Sequence, residues 1–293
     1  MCRRQVENGT IVSPAAVSGF QKRRGSIIGA FSLQTVTFAV AYYAQNSGIL
    51  NLQPADEYCQ NQNNESSCTR ADLFAFETAC GVMLFYSAYI GMTSWHITKT
   101  AHKSIPSTRE GRLFGHIKDG EQLMAVVFSL QSWDLIVSMI IPELNSFLFL
   151  AHHFMASLIA YFSLEYEYVH HYALFAGGVS EISTIFLVFI NIAKFFPPQD
   201  DTPSASFIFI CQVCFAIAFL VYRIILWFKV TIRLWSDGLS ALKDGTAEKY
   251  RPGKSYVLVT FLLVNALLGA LQVLWFTEIC TKAAEILLVS PGA

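Results

Sequence analysis

Residues 145–196 read NSFLFLAHHFMASLIAYFSLEYEYVHHYALFAGGVSEISTIFLVFINIAKFF, and this stretch decides the fold of the 293-residue chain. It contains two apolar runs, each long enough for the roughly 20 residues that cross a bilayer, joined by a short polar turn. The first run carries His152 and His153, and the second carries Glu181. Ionisable side chains in hydrocarbon are costly, so they mark a site or a packed polar contact. The stretch therefore predicts a membrane hairpin with a polar interior.

The composition of the whole chain agrees with a membrane protein. Hydrophobic residues make up 54% of it and charged residues only 14%, whereas soluble domains carry roughly 25% charged residues. Seven runs have the length and apolarity to span: 26–45, 72–97, 122–141, 146–164, 172–196, 206–230 and 255–279. The sequence therefore predicts an all-α fold, a multi-pass bundle of about seven transmembrane helices. No basic patch interleaved with aromatic residues indicates nucleic-acid binding.

The distribution of Lys and Arg predicts the orientation. These residues gather in the N-terminal segment and in alternate connections, whereas the other loops and the tail hold only Arg70 and Lys282. The positive-inside rule then predicts a cytosolic N-terminus. The predicted organisation is a cytosolic segment 1–25, a membrane domain 26–230, a cytosolic connector 231–254 and a last helix with its tail, 255–293. The connector contains either a short helix on the membrane surface or an extension of the sixth span.

The loop after the first span indicates an oxidising compartment. It contains Cys59 and Cys68 with the sequon Asn64-Glu65-Ser66 between them, on the predicted outer side. This combination predicts a disulfide and a glycan at Asn64, against the alternative of two free thiols and a chance sequon. We therefore expect an integral protein of the endoplasmic reticulum or another endomembrane. The plasma membrane and an organelle inner membrane are the alternatives.

The third and fourth predicted spans bring polar groups to the same depth. His153 shares a helical face with the small residues Ser157 and Ala160, and small residues let another helix approach closely. Asp134 and His152 each lie about seven residues from the outer end of their spans, or about 10 Å at 1.5 Å per residue. The sequence therefore predicts that a contact between histidine and aspartate can form across this hairpin.

The fifth predicted span has a polar face. Gly177, Ser180, Glu181 and Thr184 follow helical spacing along it, and the pair of glycines permits close approach or a bend. Arg223 of the sixth span lies at a similar depth to Glu181. We expect either an ion pair between these two residues or an arginine that reaches the inner headgroups.

A second histidine pair, His170 and His171, follows the acidic turn between the two runs. We interpret it as part of a solvated interfacial turn, because the two histidine pairs are separated by about a helix length. The sequence therefore predicts no metal site.

The run 149–196, preceded by Ser132-Trp133-Asp134-Leu135, resembles the TLC-domain family. This family includes the ceramide synthases, the translocating-chain-associating membrane proteins and several lipid-related proteins. The resemblance covers roughly residues 26–230. Its two fairly specific parts are the histidine pair and the motif Gly-Gly-Val-Ser-Glu-Ile-Ser at 177–183.

The resemblance implies roles for particular residues. In ceramide synthases the histidine pair is followed, about a helix later, by an acidic D-x-x-D pair. The histidines fall on His152 and His153, the second acid on Glu181, and the first acid on Gly178. This departure resembles the non-synthase branch of the family, whose members are linked to membrane lipid composition, trafficking or sensing.

Three functions remain open at this point. The first is binding or regulation of membrane lipid. The second is an N-acyltransferase, with acyl-CoA as co-substrate and no other cofactor, in which a histidine deprotonates an amine. The third is a structural or chaperone-like subunit, whose partner is a second copy or another membrane protein. The candidate catalytic residues are His152, His153, Asp134 and Glu181. The candidate lipid-cavity residues are Ser157, Gly177, Gly178, Ser180 and Thr184.

Overall fold

The computed structural model describes residues 18–59, 68–199 and 202–289 of the chain. Within these residues the protein is helical and contains no strand. Seven helices are long and apolar enough to span a membrane, as the sequence predicts. They are α1 (Gly19–Asn46), α2 (Ala71–Ile97), α3 (Lys118–Ile140), α4 (Phe147–Tyr166), α5 (His170–Phe195), α6 (Pro203–Lys243) and α7 (Ser255–Glu285). The orientation of the bundle stays a prediction.

Helix α3 lies inside the bundle. It packs against α1, α2 and α4 and against the first part of α5. Its polar residues Gln131 and Asp134 are buried, as is Trp133. A polar side chain that faces protein can find hydrogen-bond partners that lipid does not offer. Helix α3 therefore carries polar groups into the interior of the bundle, where neighbouring helices can bond them.

Shorter helices close the ends of the bundle. On the side predicted to be cytosolic, Thr100–Lys103 and Arg109–Phe114 lie between α2 and α3, and Thr246–Tyr250 lies between α6 and α7. On the other side, single turns cover Asp56–Tyr58 and Pro142–Leu144. These segments keep the connections compact.

The predicted outer end is fixed by a disulfide and by one arginine. Cys59 and Cys68 form a disulfide bond, which confirms the predicted pairing. Arg70 is buried beside it and bonds Glu143 at 2.6 Å. This hydrogen bond lowers the pKa of the Glu143 carboxyl. The predicted glycosylation site, Asn64, lies outside the described residues.

Helix α5 is interrupted where the sequence has two glycines. Regular helix ends at Ala176, a tight turn of 3₁₀ helix covers Val179–Glu181, and regular helix resumes at Ile182. Gly178 crosses Gly91 of α2 so closely that a Cβ atom on Gly91 would lie 2.4 Å from the carbonyl carbon of Gly178. Only glycine permits this backbone approach. The crossing explains why the polar face of α5 is broken rather than straight.

Helix α6 is longer than a membrane is thick. Its 41 residues extend about 60 Å at 1.5 Å per residue, against a hydrocarbon core of about 30 Å. Residues 231–243 continue this helix. Of the two expectations for the connector, the structure therefore shows the extension of the sixth span and not a separate surface helix. Leu234, Gly238 and Ala241 are buried on one face of the extension, which packs against α7. One face of the extension therefore packs against protein, whereas Ile232 and Leu239 on another face are exposed.

Candidate functional site

A cavity of about 100 Å³ lies at the centre of the bundle, between helices α2 to α7. Its walls are mainly apolar, with Met124, Leu130, Ile159 and Trp227 among them. A smaller set of polar residues shares the wall: Ser87, Gln131, His152, Tyr172, Glu181, Arg223, Asn265 and Gln272. Apolar walls with a few polar groups are typical of small-molecule sites.

His152 is the histidine that faces this central cavity. Its Nδ1 atom is buried and has no hydrogen-bond partner among the described residues. Its ring packs edge-to-face on Trp275, with centroids 5.4 Å apart. Neither Asp134 nor Glu181 forms a hydrogen bond or an ion pair with it. The imidazole is therefore held by packing rather than by hydrogen bonds to the described residues.

His153 belongs to a separate buried network behind the cavity wall. Its Nδ1 atom lies 2.6 Å from Oε1 of Gln131 and 3.7 Å from Oδ2 of Asp134. Asp134 in turn accepts hydrogen bonds from Gln34 of α1 and Cys80 of α2, both at 3.0 Å. The predicted contact between histidine and aspartate across the hairpin therefore exists, but it involves His153. It joins four helices, and of its members only Gln131 lines the cavity.

Sequence reasoning missed Gln34, which connects α1 to this network. The signal was present, because Gln34 is an amide in the middle of an apolar run and is fully buried. An amide at such a depth indicates a partner on another helix. The sequence could not show that the partner would be Asp134.

Glu181 and Arg223 form the predicted ion pair, at 2.9 Å. The guanidinium also donates to the hydroxyl groups of Thr184 at 2.6 Å and Ser183 at 2.8 Å. It further donates to the carbonyl of Ser180 at 3.2 Å. Arg223 is buried, so it does not reach towards the headgroups. The arginine binds the interrupted part of α5 to α6.

The backbone of α6 departs from regular geometry at the same place. Phe219–Leu226, which includes Arg223, is π-helical. π-Helical segments within α-helices occur frequently at functional sites. They displace a side chain from the position that a regular helix would give it. The ion pair therefore lies between two irregular helical segments, one in α5 and one in α6.

Three residues that line the cavity each have a buried polar atom without a partner among the described residues. These atoms are Oγ of Ser87, Nδ1 of His152 and Oε1 of Gln272. Each comes from a different helix, α2, α4 or α7. A buried polar atom without a partner costs about 1–3 kcal/mol. Buried polar groups in folded proteins almost always have a hydrogen-bond partner, so these three residues are the candidates for contact with a bound molecule.

A comparison with protein-family models identifies the family of the chain. The family model described as the TLC domain matches residues 76–281. The chain belongs to the TLC-domain family. It is an integral membrane protein, in keeping with its seven apolar helices. Neither the search of curated proteins nor the search of solved structures found a match. The matched part of the TLC domain runs from α2 into α7, and so includes all the helices that line the central cavity.

The other predicted cavity residues of this TLC domain have different positions. Gly177 lies on the cavity wall, and Gly178 lies at the crossing with α2. Ser157 bonds Ser132 at 2.8 Å between α4 and α3. Ser180 donates to the carbonyl of Ala176 at 2.6 Å. These serines make structural hydrogen bonds, as Thr184 does beside the ion pair. Whether any candidate residue acts on a ligand stays a prediction.

The second histidine pair of the TLC domain is buried rather than solvated. Nε2 of His170 donates to the carbonyl of Ser163 at 3.2 Å, and Nδ1 of His171 donates to that of Ala101 at 2.8 Å. The expectation of a solvated turn is therefore wrong for these two residues. The reason is tertiary, because the connection between α2 and α3 folds over the start of α5. Among the described residues no three His, Cys, Asp or Glu side chains form a group that could hold a metal.

Proposed function

We propose that this TLC protein binds a membrane lipid, and that the central cavity receives part of it. The observation that carries the proposal is that Ser87, His152 and Gln272 line one largely apolar cavity, and each has a buried polar atom without a partner among the described residues. A filled interior would instead suit a subunit whose polar residues only join helices. The cavity therefore favours lipid binding over a purely structural role.

The chemistry of the three atoms limits the class of lipid. Oε1 of Gln272 can only accept a hydrogen bond, so its partner must be a donor. The hydroxyl of Ser87 and the imidazole of His152 can each donate or accept. A hydroxyl or amide group on the lipid satisfies this set, and the apolar walls suit the adjoining hydrocarbon. Lipids with a free hydroxyl or an amide near the start of the acyl chain are therefore the proposed ligands.

The experiment is to fill the cavity and to count the lipid that remains bound. Replacing Ala156 on the cavity wall by phenylalanine should reduce co-purified lipid, as measured by mass spectrometry of the full chain in detergent. Val36→Phe is the matched control, because Val36 is exposed on α1. A second variant, Gln272→Leu, should also reduce bound lipid, whereas Ser138→Ala removes an unpartnered hydroxyl outside the cavity and should not. Unchanged lipid in both cavity variants would reject the proposal.

Cells that lack the protein provide the functional test. Ceramides and phospholipids should both be measured, and the lipid class that changes should match the class bound by the purified protein. Restoration of the normal lipid profile by Ala156→Phe would contradict a role for the cavity.

Acyl transfer is a second candidate, favoured by the position of His152 in the cavity lining and by its Nδ1 atom, which has no partner among the described residues. In that reaction His152 takes a proton from an amine, and the amine nitrogen attacks the carbonyl carbon of an acyl thioester. The carbon–sulfur bond then breaks, and the thiolate leaves and takes up a proton. The departure at Gly178, and the lack of a carboxylate partner for His152 within the described part of the chain, place this candidate second.

A pair of variants separates the two candidates. His152→Gln should keep lipid binding and abolish transfer of a labelled acyl group from acyl-CoA to an amine, if His152 is the base. His153→Gln is the control, because His153 lies behind the wall. Wild-type protein without any transfer, while lipid binding is retained, would exclude the enzyme and leave the first proposal intact.

We also propose an endomembrane location, most simply the endoplasmic reticulum. The disulfide between Cys59 and Cys68, on the loop predicted to be lumenal, supports a compartment that permits disulfides. Glycosidase treatment of intact microsomes should lower the apparent mass only after the membrane is opened, if Asn64 carries a glycan. A loop that reagents reach from the cytosolic face would overturn this topology.

A further inference from the structure

A second cavity, of about 330 Å³, opens at the end of the bundle predicted to be cytosolic. It lies between the end of α2, the connection that follows it, the start of α5 and the extension of α6. Its volume falls within the roughly 300–1,000 Å³ of small-molecule sites. Six basic side chains line this cavity, which we call the basic pocket: His96, His102, Arg112, His171, Lys229 and Arg233.

Two charges of the basic pocket are not neutralised. Arg112 forms a bidentate pair with Asp237, with distances of 2.6 and 2.8 Å. Lys229 and Arg233 are four residues apart on one face of α6. Neither forms an ion pair with any residue in the described part of the chain. The pocket therefore collects positive charge that the protein does not balance.

Aromatic packing holds the histidines of the pocket in place. The ring of Trp95 lies 4.5 Å from that of His102 and 5.0 Å from that of His171, measured between centroids. Nδ1 of His171 donates to the carbonyl of Ala101. This bond fixes the ring of His171 and leaves its Nε2 atom for another partner. The pocket is a concave, partly aromatic site and differs from a convex surface with scattered basic residues.

The groups around His102 repel one another. Desolvation, together with the positive charges of His96, Arg233 and Lys99, lowers the pKa of His102. His171 packs against the same ring, with centroids 5.2 Å apart. A bound anion would relieve this repulsion and would raise the pKa of His102.

One side chain, Tyr172, lines both the basic pocket and the central cavity. Its hydroxyl donates to Asp237 and accepts from Nε of Arg112 at 3.3 Å. Tyr172 thus lies between the two spaces, and the pair of Arg112 with Asp237 holds its hydroxyl. The central cavity, at about 100 Å³, is well below the range of small-molecule sites. It can hold only part of a lipid, and the rest must lie in a neighbouring space.

We infer that the basic pocket binds the phosphate group of an amphiphile whose apolar part reaches past Tyr172 towards the central cavity. Lys229 and Arg233 neutralise the phosphate, and the guanidinium of Arg233 can bond two of its oxygens. Basic pockets at the cytosolic ends of membrane helices suit anionic headgroups. The phosphate can belong to a phospholipid or to a phosphorylated carrier of an acyl chain. The statement that the apolar group reaches towards the central cavity rests on the proposed function. The statement that the basic pocket binds phosphate does not.

The test uses the full chain in dodecyl maltoside, a detergent without phosphate. Equilibrium binding is measured for phosphatidic acid, diacylglycerol with the same chains, inorganic phosphate and coenzyme A. The pocket variant is Lys229→Gln with Arg233→Gln. The matched control is Lys243→Gln with Lys249→Gln, which removes two exposed charges from the same end of the protein outside the pocket.

The pocket variant should bind phosphatidic acid at least tenfold more weakly than the wild type, and its affinity for diacylglycerol should be unchanged. The affinities of the control variant should stay within twofold of the wild type. Competition identifies the source of the phosphate. Displacement of phosphatidic acid by inorganic phosphate indicates that the pocket recognises the phosphate group alone. Displacement by coenzyme A at a lower concentration indicates that the natural ligand is a phosphorylated carrier. Each of these results supports the site. Equal affinity of the wild type and the pocket variant, or an equal loss in the control, overturns it.

Gln272→Leu separates this inference from the proposed function. If the inference and the proposed function are both correct, this variant lowers the affinity for phosphatidic acid and for diacylglycerol and leaves the affinity for inorganic phosphate unchanged. If it changes nothing while the pocket variant still loses phosphatidic acid, the phosphate site stands and the central lipid site fails. The reverse pattern rejects the phosphate site and retains the central one.

Discussion

Replacement of Arg223 by leucine should lower the free energy of unfolding by about 3–5 kcal/mol, the usual cost of breaking a buried ion pair from one side. The side chain of Arg223 is 9% exposed and that of Glu181 is 16% exposed, so water cannot compensate. Leucine would leave the carboxylate with the hydroxyl of Thr184 as its remaining partner among the described residues, at 2.7 Å. A charge stranded in the bundle interior is the reason for the large effect.

Replacement of both partners should be less harmful than replacement of Arg223 alone. Glu181→Leu with Arg223→Leu removes both charges, and a buried pair replaced by apolar residues is often neutral in stability. We expect the double variant to be more stable than the single variant by about 2 kcal/mol. This difference measures the cost of the unpaired carboxylate, separately from the loss of packing.

The assay is reversible unfolding of the full chain in mixed micelles with increasing sodium dodecyl sulfate. Arg24→Leu is the control, because Arg24 is exposed and makes no ion pair with a described residue; its effect should stay within about 0.5 kcal/mol. Equal stability of the single and double variants would refute the reasoning. It would mean that Arg223 is solvated at the headgroups in the membrane and that its contact with Glu181 contributes little.

Three further predictions follow from other parts of the protein. Gly91→Ala should destabilise by about 1–3 kcal/mol, because its Cβ would meet the backbone of α5, whereas Gly29→Ala, with open space around it, should be neutral or slightly stabilising in the same unfolding assay. Cys59→Ser with Cys68→Ser should cost about 2–3 kcal/mol, the loop-closure entropy for a separation of 9 residues; an unfolding curve unaffected by reducing agent would contradict this. Because the pKa of His102 is lowered, it becomes charged only below its usual range, so a phosphodiester headgroup should bind more tightly at pH 5.5 than at pH 7.5. His102→Gln should flatten this pH dependence, and an unchanged profile in the variant would show that another group titrates.

The positions of the spanning helices follow from the sequence, because crossing a bilayer requires a long apolar run whatever its neighbours are. The stretch 145–196 alone predicts the hairpin and its buried polar groups. Depth along two helices made the ion pair between Glu181 and Arg223 one of two outcomes open to the sequence, and only the tertiary structure excluded an arginine that reaches the headgroups. The pairing of Cys59 with Cys68 could be predicted, because these are the two cysteines of a single loop that the sequence places on the outer side.

The assignment of the adjacent histidines was decided by the tertiary structure. Neighbours on a helix with 3.6 residues per turn point about 100° apart, so the rotation of α4 determines which one meets the cavity. His152 faces it, and His153 turns to Gln131 and Asp134. The sequence places both at nearly one depth and carries no information on that rotation, which depends on how all the helices pack. For the same reason Gln272 and Ser87, far apart in the chain, come to share one cavity only in the folded protein.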